Sequence, residues 1–396
     1  MKKANRINNL PPYFFAQLGK RIAQLKEKGL DVIRLDIGSP DLPPADFILQ
    51  ELYRSADDPG HHSYAGYYGI PALRQAMADY YHKRFGVELD SNEEVLPLIG
   101  SKEGIAHVPT AFVNSGDLVL VPDPGYPTYR MGVMLVEGES YSMPLLAEND
   151  FLPDLEAIPP DVLRRASVMW LNYPGNPTSA TAPLDFFERA VDFARRHKLL
   201  ICHDAPYADV TFDGYVAPSM LQVEGAKDVV LEFNSLSKSH NMAGWRVGMA
   251  VGMAEAVKAL ALVKTNLDSG LFRPIQDAAI VALTGDQSWL AGRNAIYQKR
   301  RDIVLAALEK AGLKARKPQA SLYLWPQVPD GFSSADFASR LLEEAGVSVT
   351  PGTAFGKHGE GYLRISLGQS TERIRQAMDR LINFREKNTW SPRRSS

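Results

Sequence analysis

The chain has 396 residues, 45% hydrophobic and 23% charged, with a formal net charge of -2. That is enough apolar sequence for one large core or two domains sharing an interface, and it gives no global basic field that would point to nucleic acid. A single cysteine, Cys202, excludes an internal disulfide framework and fits a reducing compartment. No apolar run approaches a membrane span, and Met1-Lys-Lys-Ala-Asn-Arg6 lacks the apolar stretch of a signal peptide, so a soluble, cytoplasmic protein is expected.

Pro11-Pro-Tyr-Phe-Phe15 precedes Leu18 to Gly29, whose apolar spacing and terminal glycine predict a helix. The aromatics ahead of it read as an arm packed on another surface, such as a second subunit. Val32 to Gly38 predicts a short strand entering a turn. The tyrosine-rich stretch His62 to Gly69 leads into a helix with Pro71 in its first turn. Val95 to Gly104 predicts a strand, a small-residue turn and a helix; backbone N–H groups at Gly100-Ser101-Lys102 then form an anion site. Leu118 to Pro122 is a buried strand running into Asp123-Pro-Gly-Tyr-Pro-Thr-Tyr129.

Ser167 to Asn172 and Leu199 to Asp204 are apolar strands separated by a helical segment, Leu184 to His197, and Val229 to Asn234 is a further strand. Such alternation predicts a parallel or mostly parallel sheet covered on both faces. Ligands bind beyond the carboxyl ends of such strands, which puts Asp204 and the Ser235 to Lys238 turn on one edge. The order of strands in the sheet stays open. Arg246 to Gly252 reads as another strand, Glu255 to Lys264 as helical, and about Asp286 to Ala311 as a long helix. From about Lys314 a second, α+β pattern follows: a strand at Leu322 to Trp325, a helix at about Ser334 to Ala345, strands at Val347 to Thr350 and Leu363 to Leu367, and a last helix to about Glu386. The end of the chain reads as disordered.

The stretch Asn234-Ser-Leu-Ser-Lys-Ser-His-Asn-Met-Ala-Gly-Trp-Arg246 carries the chemistry. A lysine between serines can form a Schiff base with an aldehyde; Ser235, Ser237 and Arg246 can hold that aldehyde's phosphate; Asp204 can pair with a protonated ring nitrogen. These are the parts that hold pyridoxal 5'-phosphate, a cofactor that acts as electron sink while the protein supplies orientation and charge. Together with Asn172-Tyr-Pro-Gly-Asn-Pro-Thr178, they make the chain resemble the fold-type I pyridoxal-phosphate enzymes and, within them, the class I/II aminotransferases, from about Ile33 to about Leu381. Pro97 to His107, Val121 to Pro127, Phe151 to Pro159 and Asn266 to Phe272 resemble the branch of LL-diaminopimelate aminotransferases and their alanine/aspartate-type relatives. Ser179, His240, Ala320 and Arg273-Pro274 depart from that pattern.

The resemblance implies an α/β fold. A large domain (48–285) has a mostly parallel sheet sandwiched by helices. A smaller α+β domain is built from an arm (1–47) and an interdomain helix with the C-terminal part (286–390); residues 391–396 are a disordered tail. It implies that Lys238 carries the cofactor and acts as general base, that Asp204 keeps the ring nitrogen protonated, and that Asn176 and Tyr207 bond the phenolic oxygen. Tyr126 stacks on the ring; Ser101, Lys102, Ser235, Ser237 and Arg246 hold the phosphate, joined by Tyr64 from the partner subunit of a homodimer with shared sites. Gly38 lets the substrate carboxylate approach the backbone, and Arg364 binds that carboxylate in a two-pronged way that lysine cannot copy. No metal belongs to the kit. The implied reaction moves an amino group between an L-amino acid, LL-diaminopimelate first, and 2-oxoglutarate. For the distal end of the substrate the polar candidates are Lys102, Glu103 and the 266–273 loop; Glu103 equally fits a first-turn helix acid favoured by the dipole. A lyase, decarboxylase or synthase would use the same kit. A non-catalytic regulator of this fold would need a DNA-binding domain for which there is no room before Ile33. A dinucleotide enzyme would need a Gly-x-Gly-x-x-Gly turn after the first strand, which is missing.

Overall fold

A computed structural model describes residues 1–388; the tail expected at 391–396 lies outside the described residues. A short strand, β1 (Ile33–Arg34), precedes the seven strands of the main sheet: β2 (Val95–Ile99), β3 (Leu118–Asp123), β4 (Glu139–Pro144), β5 (Ala166–Leu171), β6 (Leu200–Asp204), β7 (Val230–Ser235) and β8 (Val247–Gly252). They lie in the order β2-β8-β7-β6-β5-β3-β4. All run parallel except β8, which is antiparallel to both β2 and β7. Strands β3, β7 and β8 are buried along their whole length, as strands of a sheet covered on both faces must be; in β7 this includes Glu232 and Asn234.

Each face has its own core. One gathers Phe186, Phe187, Ala190 and Phe193 from the helix Leu184–His197 with Met169, Leu171 and Ile201. The other packs Ile105 and Val108 of the helix Ser101–Phe112 on Leu96, Leu98, Val119 and Val121. The helix Leu184–His197 stops at Lys198, in left-handed conformation (φ 56°), with Arg195, Arg196 and His197 in its last turn, where cations meet the negative end of the dipole.

Beyond the sheet, β9 (Tyr323–Leu324), β10 (Val347–Ser348), β11 (Thr350–Pro351) and β12 (Leu363–Ser366) form two small sheets, β11-β12-β9 and β1-β10. The helices Trp289–Lys310, Ser334–Ala345 and Thr371–Lys387 pack on them around a separate core that includes Ile33, Leu35, Leu322, Phe337 and Ile365. Because β1 pairs with β10 through Ile33↔Val347, the start of the chain is part of this C-terminal layer.

Several boundaries differ from expectation for local reasons. The long helix begins at Trp289, because the Asp286 carboxylate accepts from Ser288 N and Oγ at 2.8 and 2.6 Å and shapes a turn there. The strand expected from Arg246 begins at Val247, since Arg246 itself is left-handed (φ 60°). The N-terminal helix starts earlier, at Phe14. Edge strand β4 and the helices Asp46–Ala56, Thr128–Leu135 and Arg273–Thr284 are additional to the expected elements. Ser140 to Ser142 alternate without an apolar run, so β4 gave no strand signal.

Candidate active site

The strand order explains why residues far apart in sequence meet. Strands β2, β6 and β7 all end at the same sheet edge. There β2 passes into Gly100-Ser101, β6 ends in Asp204, and β7 passes into the short helix Leu236–Ser239 carrying Lys238. Strand β8 runs the other way, so its beginning lies at that edge: Val247 pairs with Ile99 and Gly248 with Ser235. Arg246, the residue just before β8, is thereby delivered beside Ser101, Ser235 and Ser237. All of them line one cavity of about 330 Å³, shared with Tyr13, Gly38, Lys102, Tyr126, Asn176, Asp204, Tyr207, Lys238, Tyr323 and Arg364.

At the end of the cavity nearest Arg246, Gly100 adopts φ 72° ahead of the helix Ser101–Phe112. A side chain there would be strained, and its Cβ would lie 2.1 Å from Arg246 Nη2. Glycine therefore lets the guanidinium lie against the turn. Ser235 Oγ accepts from Ser237 N at 3.2 Å, and Arg246 Nη1 donates to Ser237 Oγ at 3.4 Å. Lys102 sits 5.2 Å from the Tyr13 ring centroid, and partial burial, then Arg246, lowers its pKa.

Lys238 and Asp204 occupy the middle. Lys238 Nζ donates to Gly38 O at 2.5 Å. Burial, then the positive charges of Arg364 and Arg246, brings its ammonium down to a pKa of about 8. Burial drives Asp204 the other way, up to about 6. Its Oδ2 accepts from Tyr129 Oη at 2.7 Å, its backbone O accepts from Asn172 Nδ2 at 2.5 Å, and its buried Oδ1 has no partner. Tyr126, on the same helical turn region as Tyr129, is held edge-on to it at 5.7 Å.

The opposite wall comes from the second layer. Arg364, on β12, is buried; Nη1 donates to Asn176 Oδ1 at 2.9 Å and Nη2 to Asp36 O at 2.7 Å, while Nε is buried without a partner. Its guanidinium lies over the rings of Tyr323, Phe355 and Phe15, at 4.3, 4.7 and 5.5 Å. Tyr207 Oη and Tyr323 Oη share a hydrogen bond of 2.8 Å. Gly38 is a glycine because a Cβ there would come within 1.9 Å of that Tyr323 oxygen.

Of the residues the resemblance assigns to the cofactor and to the substrate α-carboxylate, all but Tyr64 line this cavity, whereas Glu103 and the 266–273 loop, offered for the distal end of the substrate, do not. Tyr64 is 88% exposed in this single chain. Of the two readings of Glu103, the structure supports the first-turn helix acid: its Oε2 accepts from Ile99 N at 2.6 Å and lies 3.3 Å from Lys264 Nζ. Its charge is committed to holding the helix start. The sequence departures also fall outside the lining. His240 is buried between Ser239 Oγ and Gln287 Oε1, Ser179 (φ 56°) donates to Tyr323 O, and Arg273 pairs with Asp277. Sequence reasoning missed Tyr13, Phe15, Tyr129 and Tyr323. Their tyrosine or phenylalanine character was visible, but nothing local marks an aromatic as facing a cavity. A larger depression of about 520 Å³ between Phe151, Thr178 and Trp325 has exposed Lys314, Arg316 and Lys317 on its rim instead of convergent buried groups.

The family model for aminotransferase class I and II matches residues 30–381. The chain belongs to the class I and II aminotransferases. LL-diaminopimelate aminotransferases of Moorella thermoacetica and Dehalococcoides mccartyi are each 52% identical to this aminotransferase, over 96% and 97% of it and 98% and 99% of their own lengths. Among solved structures, BacF of Bacillus subtilis superposes with a TM-score of 0.94 at 36% identity, covering 97% of this chain and 98% of that one. A Thermus thermophilus aspartate aminotransferase superposes with a TM-score of 0.89 at 29% identity, covering 97% and 99%. The fold is that of the fold-type I aminotransferases, with a large, mostly parallel seven-stranded sheet flanked by helices.

Proposed function

We propose that this aminotransferase binds pyridoxal 5'-phosphate and moves an amino group from LL-diaminopimelate to 2-oxoglutarate. The observation that carries the cofactor is Asp204: a buried carboxylate, oriented by Tyr129, with Oδ1 unpartnered in the cavity that also holds the depressed amine of Lys238. A buried acceptor without a partner is costly, and a protonated ring nitrogen is the complement it lacks. The cation-and-hydroxyl cradle of Ser101, Lys102, Ser235, Ser237 and Arg246 fits a phosphate, Tyr126 offers a ring face, and Asn176 and Tyr207 offer donors for a phenolic oxygen. When bound, the cofactor supplies an electron sink for the pair left by breaking the substrate Cα–H bond.

The chain's own residues do the rest. Arg364, with Nε free of partners, takes the substrate α-carboxylate. The three aromatic rings over the guanidinium keep water from it, and Gly38 leaves its backbone open to the same group. Lys238, largely neutral above pH 8 or so, is the base that takes the Cα proton. The choice of LL-diaminopimelate rests on the 52% identity to enzymes of that name over nearly their whole lengths. Exposed Tyr53, Tyr64, Tyr67 and Tyr68, with Leu262, Leu267 and Phe272, support a homodimer in which Tyr64 serves the partner's phosphate site.

The test is a half-reaction. Protein loaded with pyridoxal phosphate is mixed with LL-diaminopimelate alone, and pyridoxamine phosphate should accumulate as the visible cofactor band is lost. The same panel includes glutamate, aspartate and alanine. Reaction with alanine or aspartate but never with diaminopimelate would move the enzyme to the alanine/aspartate branch. Release of an elimination product without pyridoxamine phosphate would make it a lyase.

A further inference from the structure

We infer that Tyr129 is a positioning residue for Asp204, fixing through its phenolic O–H which carboxylate oxygen is left to face the cofactor ring nitrogen. The inference rests on the pyridoxal-phosphate reading above. Among the described residues, Tyr129 is the one side chain that hydrogen-bonds the Asp204 carboxylate, at 2.7 Å to Oδ2. That single bond breaks the symmetry of the group: Oδ2 is committed and Oδ1 is left buried and unpaired. The donor itself has little freedom. Its ring is 1% exposed, stacked on Trp170 with centroids 4.6 Å apart and planes 12° apart, and edge-on to Tyr126. Burial, then the Asp204 charge, pushes the Tyr129 phenol well above its ordinary pKa, so it keeps its proton and only donates.

The arrangement also couples two parts of the cofactor site. Tyr126 and Tyr129 lie three residues apart, joined by the hydrogen bond from Tyr129 N to Tyr126 O at 3.2 Å. The residue offered to the ring face and the residue orienting the acid under the ring nitrogen therefore move as one turn. Around Asp204 stand Tyr129 and Tyr126 from this turn, His203 on its own strand, Lys238 on the lysine helix, and Tyr207. Of these, the Tyr129 bond opposes burial most strongly, favouring the charged carboxylate. Removing the hydroxyl leaves burial less opposed: Asp204 binds its proton more tightly, and the proton shared with the ring nitrogen moves toward the carboxylate.

The experiment compares Tyr129→Phe with wild type and with Tyr126→Phe, which removes a neighbouring hydroxyl that does not touch Asp204. In apo protein, an infrared titration of the Asp204 carboxyl should move upward from about 6 in Tyr129→Phe alone. In the loaded protein, the nitrogen-15 resonance of ring-labelled pyridoxal phosphate should shift toward the unprotonated position, and cofactor affinity should fall about ten- to a hundred-fold, the loss of one hydrogen bond to a charged acceptor. A merely structural role would lower the melting temperature and leave the titration and the resonance where they were. An unchanged titration and resonance in Tyr129→Phe, or equal shifts in Tyr126→Phe, overturns the proposal. A wild type that takes up no cofactor, with the apo titration still moved by Tyr129→Phe, would instead overturn the cofactor reading and leave only the orientation of Asp204 standing.

Discussion

Gly38→Ala asks whether the two layers meet at the site as tightly as the structure has them. A Cβ at position 38 would lie 1.9 Å from Tyr323 Oη and 2.8 Å from Cζ, where ordinary contact begins at 3.4 Å; the tyrosine tip must therefore retreat by about 1.5 Å. It has nowhere easy to go. Tyr323 is 2% exposed, its Oη shares the bond with Tyr207, and its ring lies 4.3 Å beneath the Arg364 guanidinium. Overpacking of this kind costs about 1–3 kcal/mol of stability. Because the displaced ring supports Arg364 and Tyr207 together, we expect kcat/KM to fall about 10²-fold, the usual consequence of a 1 Å misplacement. The assay is steady-state transamination with LL-diaminopimelate and 2-oxoglutarate, paired with thermal denaturation. Tyr323→Phe removes the closest atom, so Gly38→Ala should be much milder in that background. Wild-type kinetics for Gly38→Ala, or strictly additive effects of the two changes, would refute the reasoning.

In the apo protein, burial and two arginines lower the Lys238 pKa from 10.5 to about 8, so capture of pyridoxal phosphate should accelerate as pH rises through about 8; stopped-flow rates that rise only near 10.5 would contradict this. Asp204 is raised from 3.8 to about 6 by burial, so the apo fold holds a proton that the unfolded chain gives up, and stability falls as pH climbs from about 4 to about 6. Asp204→Asn should therefore melt higher than wild type at neutral pH, with the gap closing near pH 4, and a lower melting temperature at neutral pH would reverse the sign. Mixing Lys238→Ala with Tyr64→Phe chains should recover activity through one intact site per mixed dimer; verified mixed dimers without activity would remove Tyr64 from the partner's site.

What could be read in the sequence follows from how each residue announces itself. Asp204 ends an apolar run, Lys238 sits among small hydroxyl residues, and alternating strands and helices imply a common ligand edge, so these positions were legible. The role of Arg246 beside them depends on β8 running antiparallel between β2 and β7, which no local pattern encodes. Nothing local distinguishes Arg364 from a strand-surface charge, and only the resemblance singles it out; its burial among Phe15, Tyr323 and Phe355 includes a residue, Phe15, more than 300 positions away. Glu103 stays open between two roles in the sequence because a first-turn acid beside a small-residue turn is compatible with either. The Lys264 amine that claims it lies 161 residues away. Tyr129 carries no local signal of its role, since its neighbours in sequence say nothing of the carboxylate across the sheet edge.

The site's electrostatics fit the proposed doubly anionic cofactor and carboxylate substrates. Lys102, Arg246 and Arg364 all face it, while burial presses Lys238 and Asp204 toward their neutral forms. Such an arrangement is unfavourable without a partner: like charges converge, one carboxylate oxygen is unpaired, and an amine is stripped of water. If pyridoxal phosphate binds as proposed, a phosphate beside Ser101, Lys102 and Arg246 would relieve the first strain, a ring nitrogen facing Asp204 the second, and an aldehyde at Lys238 the third. Arg364 comes from the second layer, where Asp36 O accepts from it, and it reaches across to Asn176 Oδ1 beside the main sheet; in the proposed reaction its charge would serve the α-carboxylate in either half-reaction. The two ends of the proposed site are thus charged from different layers of the fold, and they meet at Lys238, whose pKa Arg364 and Arg246 both lower.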